Sequence, residues 1–249
     1  MNWFKKKDTI VLNCYTYRPD LYYNYPITKS NKFFPEWFKQ LDSKGSFNMD
    51  TLEFTSTMKG CVGMVNTFSK GVMIPLWSDI AFLSAGKNSG LEEYKWRFAD
   101  GMSEAEWHPQ EQRGSYLPTR DYCHMKIVSP WAFDCEEDID WLWQQPVWNQ
   151  DNPEQAITLP GVVNYKNISD TNINLMVPRE VNESFKVFVA GSPLVQIIPL
   201  TERKLEVKCH LVSKTEWQTI MLAKSPHSKF FKSQTENRKN PLRCPFHSK

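Results

Sequence analysis

No run of about 18 uninterrupted apolar residues occurs anywhere in the chain, which excludes a membrane-spanning helix. The first residues, Met1 to Asp8, are basic, but no apolar stretch follows them of the length a secretory signal needs. The six cysteines, at positions 14, 61, 123, 135, 209 and 244, form no C-x-x-C pair and no zinc-ribbon spacing. A reduced, cytoplasmic setting is the expectation, and the sequons at Asn167 and Asn182 carry no meaning there. An excess of one charge is missing too. Thirty basic against 28 acidic residues leave a net charge of +2, which argues against a surface devoted to nucleic acid or to a strongly acidic partner. No P-loop, dinucleotide-type glycine pattern, nucleophile elbow or Ser/His/Asp order is present. Internal repeats and low-complexity linkers are also absent, so a single domain over residues 1–235, with an N-terminal extension, is preferred to two. Residues 236–249 read as a basic, proline-broken tail.

What the chain does have is aromatic rings. They make up 14% of the residues and include ten tryptophans spread along the length, as expected of a large core and of pocket walls. A stacking platform for a sugar or a base is the alternative. Hydrophobic residues at 41% suffice to fill a core.

The strongest local pattern runs from Phe185 to Val212. Phe185–Val189 and Leu194–Ile198 are short β-branched and aromatic runs, separated by Ala190-Gly-Ser-Pro193, where a glycine and a proline make a turn. Lys204–Val212 then alternates, with Leu205, Val207, Cys209 and Leu211 on one face and Glu206, Lys208 and His210 on the other. Similar patterns predict strands at 9–15, 71–77, 79–83, 93–99, 122–128, 131–135, 140–144, 161–165 and 172–177. Within 122–128, Cys123, Met125 and Ile127 oppose Tyr122, His124 and Lys126, so His124 falls on the polar face, where its replacement by Ala would leave folding intact. Pro75 puts its strand near an edge or a bulge. Pro35 suits the first turn of a short helix with Trp37, Phe38 and Leu41 inward, and 59–70 fits a helical turn and a loop equally. A polar loop is expected over 100–118, and a C-terminal helix from Lys214 with Trp217, Ile220 and Met221 at helical spacing, reaching toward Phe230 and Phe231. About ten short strands with helices near the ends imply a mainly β fold, an antiparallel β-sandwich or jelly roll of the double-stranded β-helix kind, with short peripheral helices.

Several segments together carry a resemblance. IPLWSDIAF (74–82), HPQEQ (108–112), IVSPW (127–131), LPGVVNY (159–165), NINLMVP (172–178) and AGSPLVQIIPL (190–200) resemble an uncharacterised β-rich family of tailed phages, notably large marine ones, with distant bacterial relatives. The resemblance implies a phage-encoded protein, in the host cytoplasm or in the virion, with a small molecule or other phage proteins as partners and self-association among the options. Gly191-Ser-Pro-Leu-Val-Gln196 is similar to the turn before the closing strand of dUTPase-type β-barrels, with Ser192 where that turn has an acidic residue.

Candidate chemistry centres on histidine. A double-stranded β-helix commonly gathers metal ligands at its mouth, and His108, His124 and His210 are the candidate ligands for a divalent metal such as iron or zinc, with Glu111 or Gln112 nearby. His124, His108 and Gln112 are the candidate catalytic residues, and Trp107, Trp131 and Tyr122 the candidate ligand-binding aromatics. No His-x-His pair and no His-x-Asp/Glu dyad accompanies them, and a satisfied pair of histidines is the alternative. The acidic group Glu136, Glu137, Asp138 and Asp140 fits a cation site or a solvated turn. Trp141 and Trp143, one face of the next strand, fit core packing or an exposed platform, with core favoured. Two function classes follow: a β-barrel that binds or modifies a small molecule, in its sharpest form a cupin-like metal oxygenase, and a structural or assembly protein of the virion.

Overall fold

Ile10, Leu12, Cys14 and Thr16 occupy every second position of Thr9–Thr16, and in the computed structural model all four residues of this strand, β1, face inward. The structure describes residues 8–86, 94–108, 122–149 and 156–224. The first half of the chain continues with β2 (Thr28–Lys29), β3 (Lys44–Asn48), β4 (Glu53–Ser56), β5 (Val72–Pro75), β6 (Ile80–Ser84), β7 (Tyr94–Phe98) and β8 (Glu104–Trp107). The second half contributes β9 (Tyr122–Val128), β10 (Trp131–Asp134), β11 (Asp140–Gln144), β12 (Ile157–Thr158) and β13 (Gly161–Asn164). It ends with β14 (Ile173–Pro178), β15 (Ser184–Phe188), β16 (Pro193–Pro199) and β17 (Lys204–Leu211). Among the described residues four short helices, α1 (Pro19–Asn24), α2 (Glu36–Gln40), α3 (Val62–Ser69) and α4 (Lys214–Ala223), are peripheral. The protein is mainly β and of sandwich type.

Among the described residues five sheets share the work, with strand orders β10-β1-β17, β13-β11-β16-β5-β2, β12-β14-β9-β8, β15-β6-β7 and β3-β4. Among the described strands every pairing is antiparallel except one: β1 lies parallel to β17, residue for residue from Thr9 with Lys204 to Thr16 with Leu211. A parallel pair needs a crossover, and here the crossover is nearly the whole described chain. The core draws on β1, β5, β6, β9, β10, β11, β14 and β16 together. β5, held between β16 and β2, is buried at all four positions and reads as a continuous apolar run, as a strand covered on both faces must. Aromatic rings fill the centre: Phe133 and Trp141 meet Tyr165 at 5.2 and 5.7 Å, and Trp143 Nε1 donates to the Tyr165 hydroxyl at 2.8 Å. Trp141 and Trp143 are therefore core. All five described cysteines are free thiols.

The strands stand where the sequence pattern puts them, but their partners do not follow chain order. β15, β16 and β17, which read as consecutive strands with two turns, pair with β6, with β5 and β11, and with β1 respectively. β5 and β6 likewise belong to different sheets. Pro75 does face a bulge, between Pro193 and Val195 of β16. The expected loop over 100–118 is corrected at Glu104–Trp107, which pairs with β9. The ambiguous 59–70 segment holds α3, and a hairpin absent from the sequence reading occupies 44–56. Trp37, expected inward, is 40% exposed, because its Nε1 donates outward to the Trp148 carbonyl at 2.9 Å. Leu211, at the strand's outer end, is exposed. α4 is opened by a capping box, Ser213 with Glu216. Gln112, Glu111, Phe230, Phe231 and the tail 236–249 lie outside the described residues.

Candidate functional site

β8 and β9 bring the two candidate histidines together. Trp107 registers with Met125, so the next residue, His108, emerges beside His124, and its backbone N–H donates to the His124 carbonyl at 3.1 Å. The imidazoles stack, with centroids 4.5 Å apart and planes 18° from parallel. His124 Nε2 lies 3.1 Å from Asn174 Oδ1 on the neighbouring β14. The side chain on the nominally polar face of β9 is thus 9% exposed, a correction to the solvated position the alternation suggested.

This arrangement does not fit a shared metal ion. A ring nitrogen offers its lone pair in the plane of the ring, at about 2.0–2.1 Å from a bound zinc. Two stacked rings send those lone pairs along separate, nearly parallel planes, which do not converge on one point. The third expected ligand, His210, belongs to another sheet: its Nε2 lies 3.0 Å from Asn13 Oδ1, and its ring stacks on Tyr15 at 4.8 Å. Among the described residues no group of three or more His, Cys, Asp or Glu side chains is placed to hold a metal. Of the expected ligand-binding aromatics, Trp131 is fully buried in the core and closed to any ligand. Trp107 and Tyr122 are half-buried and lie toward the same end of the β8–β9 pair, since Trp107 registers with Met125.

The acidic turn is engaged as well. Glu137 pairs with Arg203 at 3.1 Å, and the Asn164 amide donates to Asp138 at 2.7 Å and to Asp140 at 3.2 Å. The open depression beside it, of about 720 Å³ and lined by Glu137, Asp138, Asp140, Thr201 and Arg203 among others, is a solvated turn rather than a cation cage.

Three features escaped the sequence reading. The first is a buried charge cluster at the end of β1, where Arg18 donates through Nε to Asp20 at 3.2 Å and through Nη1 to Ser103 at 2.9 Å, and pairs with Asp100 at 2.8 Å. Ser103 also accepts from Trp77 Nε1 at 2.8 Å and donates to Asp100 at 2.6 Å. The guanidinium holds the Asp20 carboxyl below its ordinary value. At Asp100 burial pushes upward, but the Ser103 hydroxyl and amide, the Met102 amide and Arg18 outweigh it and the net direction is down. The second is a cleft of about 420 Å³ between the free edges of β15 and β12, walled by Leu76, Leu175, Val187, Phe188 and Leu194.

The third is the β3–β4 hairpin. Among the described residues its two strands pair only with each other, and nearly every residue from Lys44 to Ser56 is exposed. Phe47 and Phe54 face each other across the strands at 5.1 Å, 45% and 54% exposed, with Lys44 Nζ 5.1 Å over the Phe54 ring. At the tip the Asn48 side chain accepts from the Asp50 and Thr51 amides, and Met49 and Leu52 are 75% and 71% exposed. Leu52 has φ 58°, unusual for a bulky side chain. The signal was present in Phe47-Asn-Met-Asp-Thr-Leu-Glu-Phe54, where turn formers sit between two phenylalanines. No helix among the described residues is long and apolar enough to cross a membrane. Comparison with known proteins finds no family model that matches the chain, and neither a curated protein nor a solved structure similar to it.

Proposed function

We propose that the protein is a structural or assembly component that works by docking on other proteins, in a tailed-phage particle or during its construction. The observation that carries this is the β3–β4 arm, which exposes four large apolar side chains, Phe47, Met49, Leu52 and Phe54, on a hairpin that pairs with no other strand among the described residues. Exposed apolar patches that persist on a folded protein mark contact surfaces, because burying them is what makes association favourable. The phage setting rests on the sequence resemblance. The stacked His108–His124 rings, whose lone pairs lie in separate, nearly parallel planes, give no support to metal-based catalysis.

The test is a photo-crosslinking amino acid at position 54, compared with one at exposed Lys166. Adducts to another polypeptide from position 54 alone, together with recovery of the chain from purified particles by mass spectrometry, are expected. Absence from particles with no adduct would remove the reading. The 420 Å³ cleft favours a second reading, a small apolar ligand held between β15 and β12. It is checked by fluorescence of anilinonaphthalene sulfonate, which should bind the native protein and be lost in Leu175→Trp.

A further inference from the structure

We propose that the arm of one copy docks on the outer face of the β15-β6-β7 sheet of a second copy of this chain. This deepens the assembly reading and rests on it. The receiving face follows from register. Phe185 lies opposite Leu83, which lies opposite Lys95; Val187 lies opposite Ala81, which lies opposite Arg97. Directly opposed residues share a face, so two rows run from apolar to cationic across the sheet. Phe185 and Val187 are 66% and 42% exposed, Lys95 and Arg97 are exposed, and Val189, just past the strand, continues the apolar stripe. The inward face carries Phe82, Phe98 and Ile80 into the core. A wet sheet face is ordinarily polar; this one carries an apolar stripe beside two cations.

The arm is its complement. Phe47, Met49, Leu52 and Phe54 supply apolar surface, and exposed Asp50 and Glu53 supply two carboxylates beside it. Apolar surface meets apolar surface, and Asp50 and Glu53 meet Lys95 and Arg97. Charge arranged this way sets the register of a contact and speeds its formation. The arm does not cover this face within its own chain, since both surfaces are exposed. The cleft shares Val187 and Val189 with the stripe, which gives the face depth at its β15 border. Arm and face are different patches, so the contact is heterologous: each copy offers one donor and one acceptor.

Sedimentation equilibrium over a wide concentration range tests this. The wild-type protein is expected to exceed the 29.2 kDa of one chain as concentration rises. Phe54→Asp on the arm and Val187→Asp on the face should each weaken self-association at least tenfold with an unchanged melting temperature. Mixed together they should form a 1:1 complex, because one retains its face and the other its arm. Glu53→Lys should weaken association in the same way, and mixing with Arg97→Glu should restore it. A wild-type monomer at every concentration, association that survives both aspartates, or mixtures that do not complement would each overturn the proposal. A monomer whose position 54 still crosslinks to a different particle protein would overturn self-docking and leave the assembly reading standing. A monomer that crosslinks to nothing and floats with phosphatidylcholine vesicles would overturn both.

Discussion

Gly71 shows how much a single position can constrain the fold. Its φ is +80°, and an added Cβ would lie 2.1 Å from the Ile197 carbonyl oxygen on β16, a backbone atom that cannot turn aside. Gly71→Ala is expected to cost on the order of 3 kcal/mol, from the left-handed conformation and the clash together, read as a lower urea midpoint. His124 illustrates the opposite error. On alternation alone its loss should be harmless, yet it is buried against Asn174, and His124→Ala leaves that amide oxygen unpaired and a void beside His108. A loss of about 2 kcal/mol is expected. The period-two pattern reports which face a residue is on, not whether another strand or loop covers that face. Arg18 sets the behaviour in acid. A carboxyl whose folded pKa is depressed adds stability that is complete above its unfolded value and is lost as pH falls through the folded one. For Asp20 and Asp100 the loss therefore begins below the ordinary value of 3.8. Urea midpoints should drop as pH falls below about 4, and Arg18→Met should flatten that drop.

At the scale of elements, the strands were legible because each must alternate or run apolar to suit its own burial. β1, β9, β14 and β16 are written in Val, Ile, Leu and aromatic residues at period two or in continuous runs. The β3–β4 arm was not legible for the same reason in reverse. Its phenylalanines do not bury, so KGSFN and EFTS lack the contrast between faces on which strand reading depends. The arm makes a distinct expectation for dynamics. A two-stranded hairpin with no third strand is marginal alone, so it should open locally at far lower free energy than the sheets. Hydrogen exchange should show the Phe47 and Phe54 amides exchanging orders of magnitude faster than Met125 or Leu175. Equal protection would mean that the arm is held by contacts of its own.

For the molecule as a whole, what the sequence withheld was pairing. Consecutive strands make hairpins only at β3–β4, β6–β7 and β8–β9 among the described residues, while every other pairing skips at least one intervening strand. Local patterns carry no term for that, since an inward Leu is satisfied by any sheet it packs on. The clearest case is β1 with β17. Cys14 stands opposite Cys209, and β17 covers an edge of β1 that would otherwise lie open along eight residues. Arg203 anchors the same junction, donating to the Thr9 carbonyl at 2.9 Å and pairing with Glu137. Closure of so long a loop carries an entropy cost that grows slowly with length but must be met before the contacts form, so folding should be slow, on the order of milliseconds to seconds. Truncation after Arg203 removes β17 and α4. It leaves β1 paired only with β10, and uncovers the face against which Leu205, Val207 and Cys209 pack on the core. The truncated chain is expected to lose its sharp urea transition and its near-ultraviolet aromatic signal while keeping much of its far-ultraviolet β signal, the signature of a sheet protein whose rings are no longer fixed. A truncated chain that still unfolds cooperatively with the wild-type midpoint would show that the pairing of the two ends is peripheral to stability.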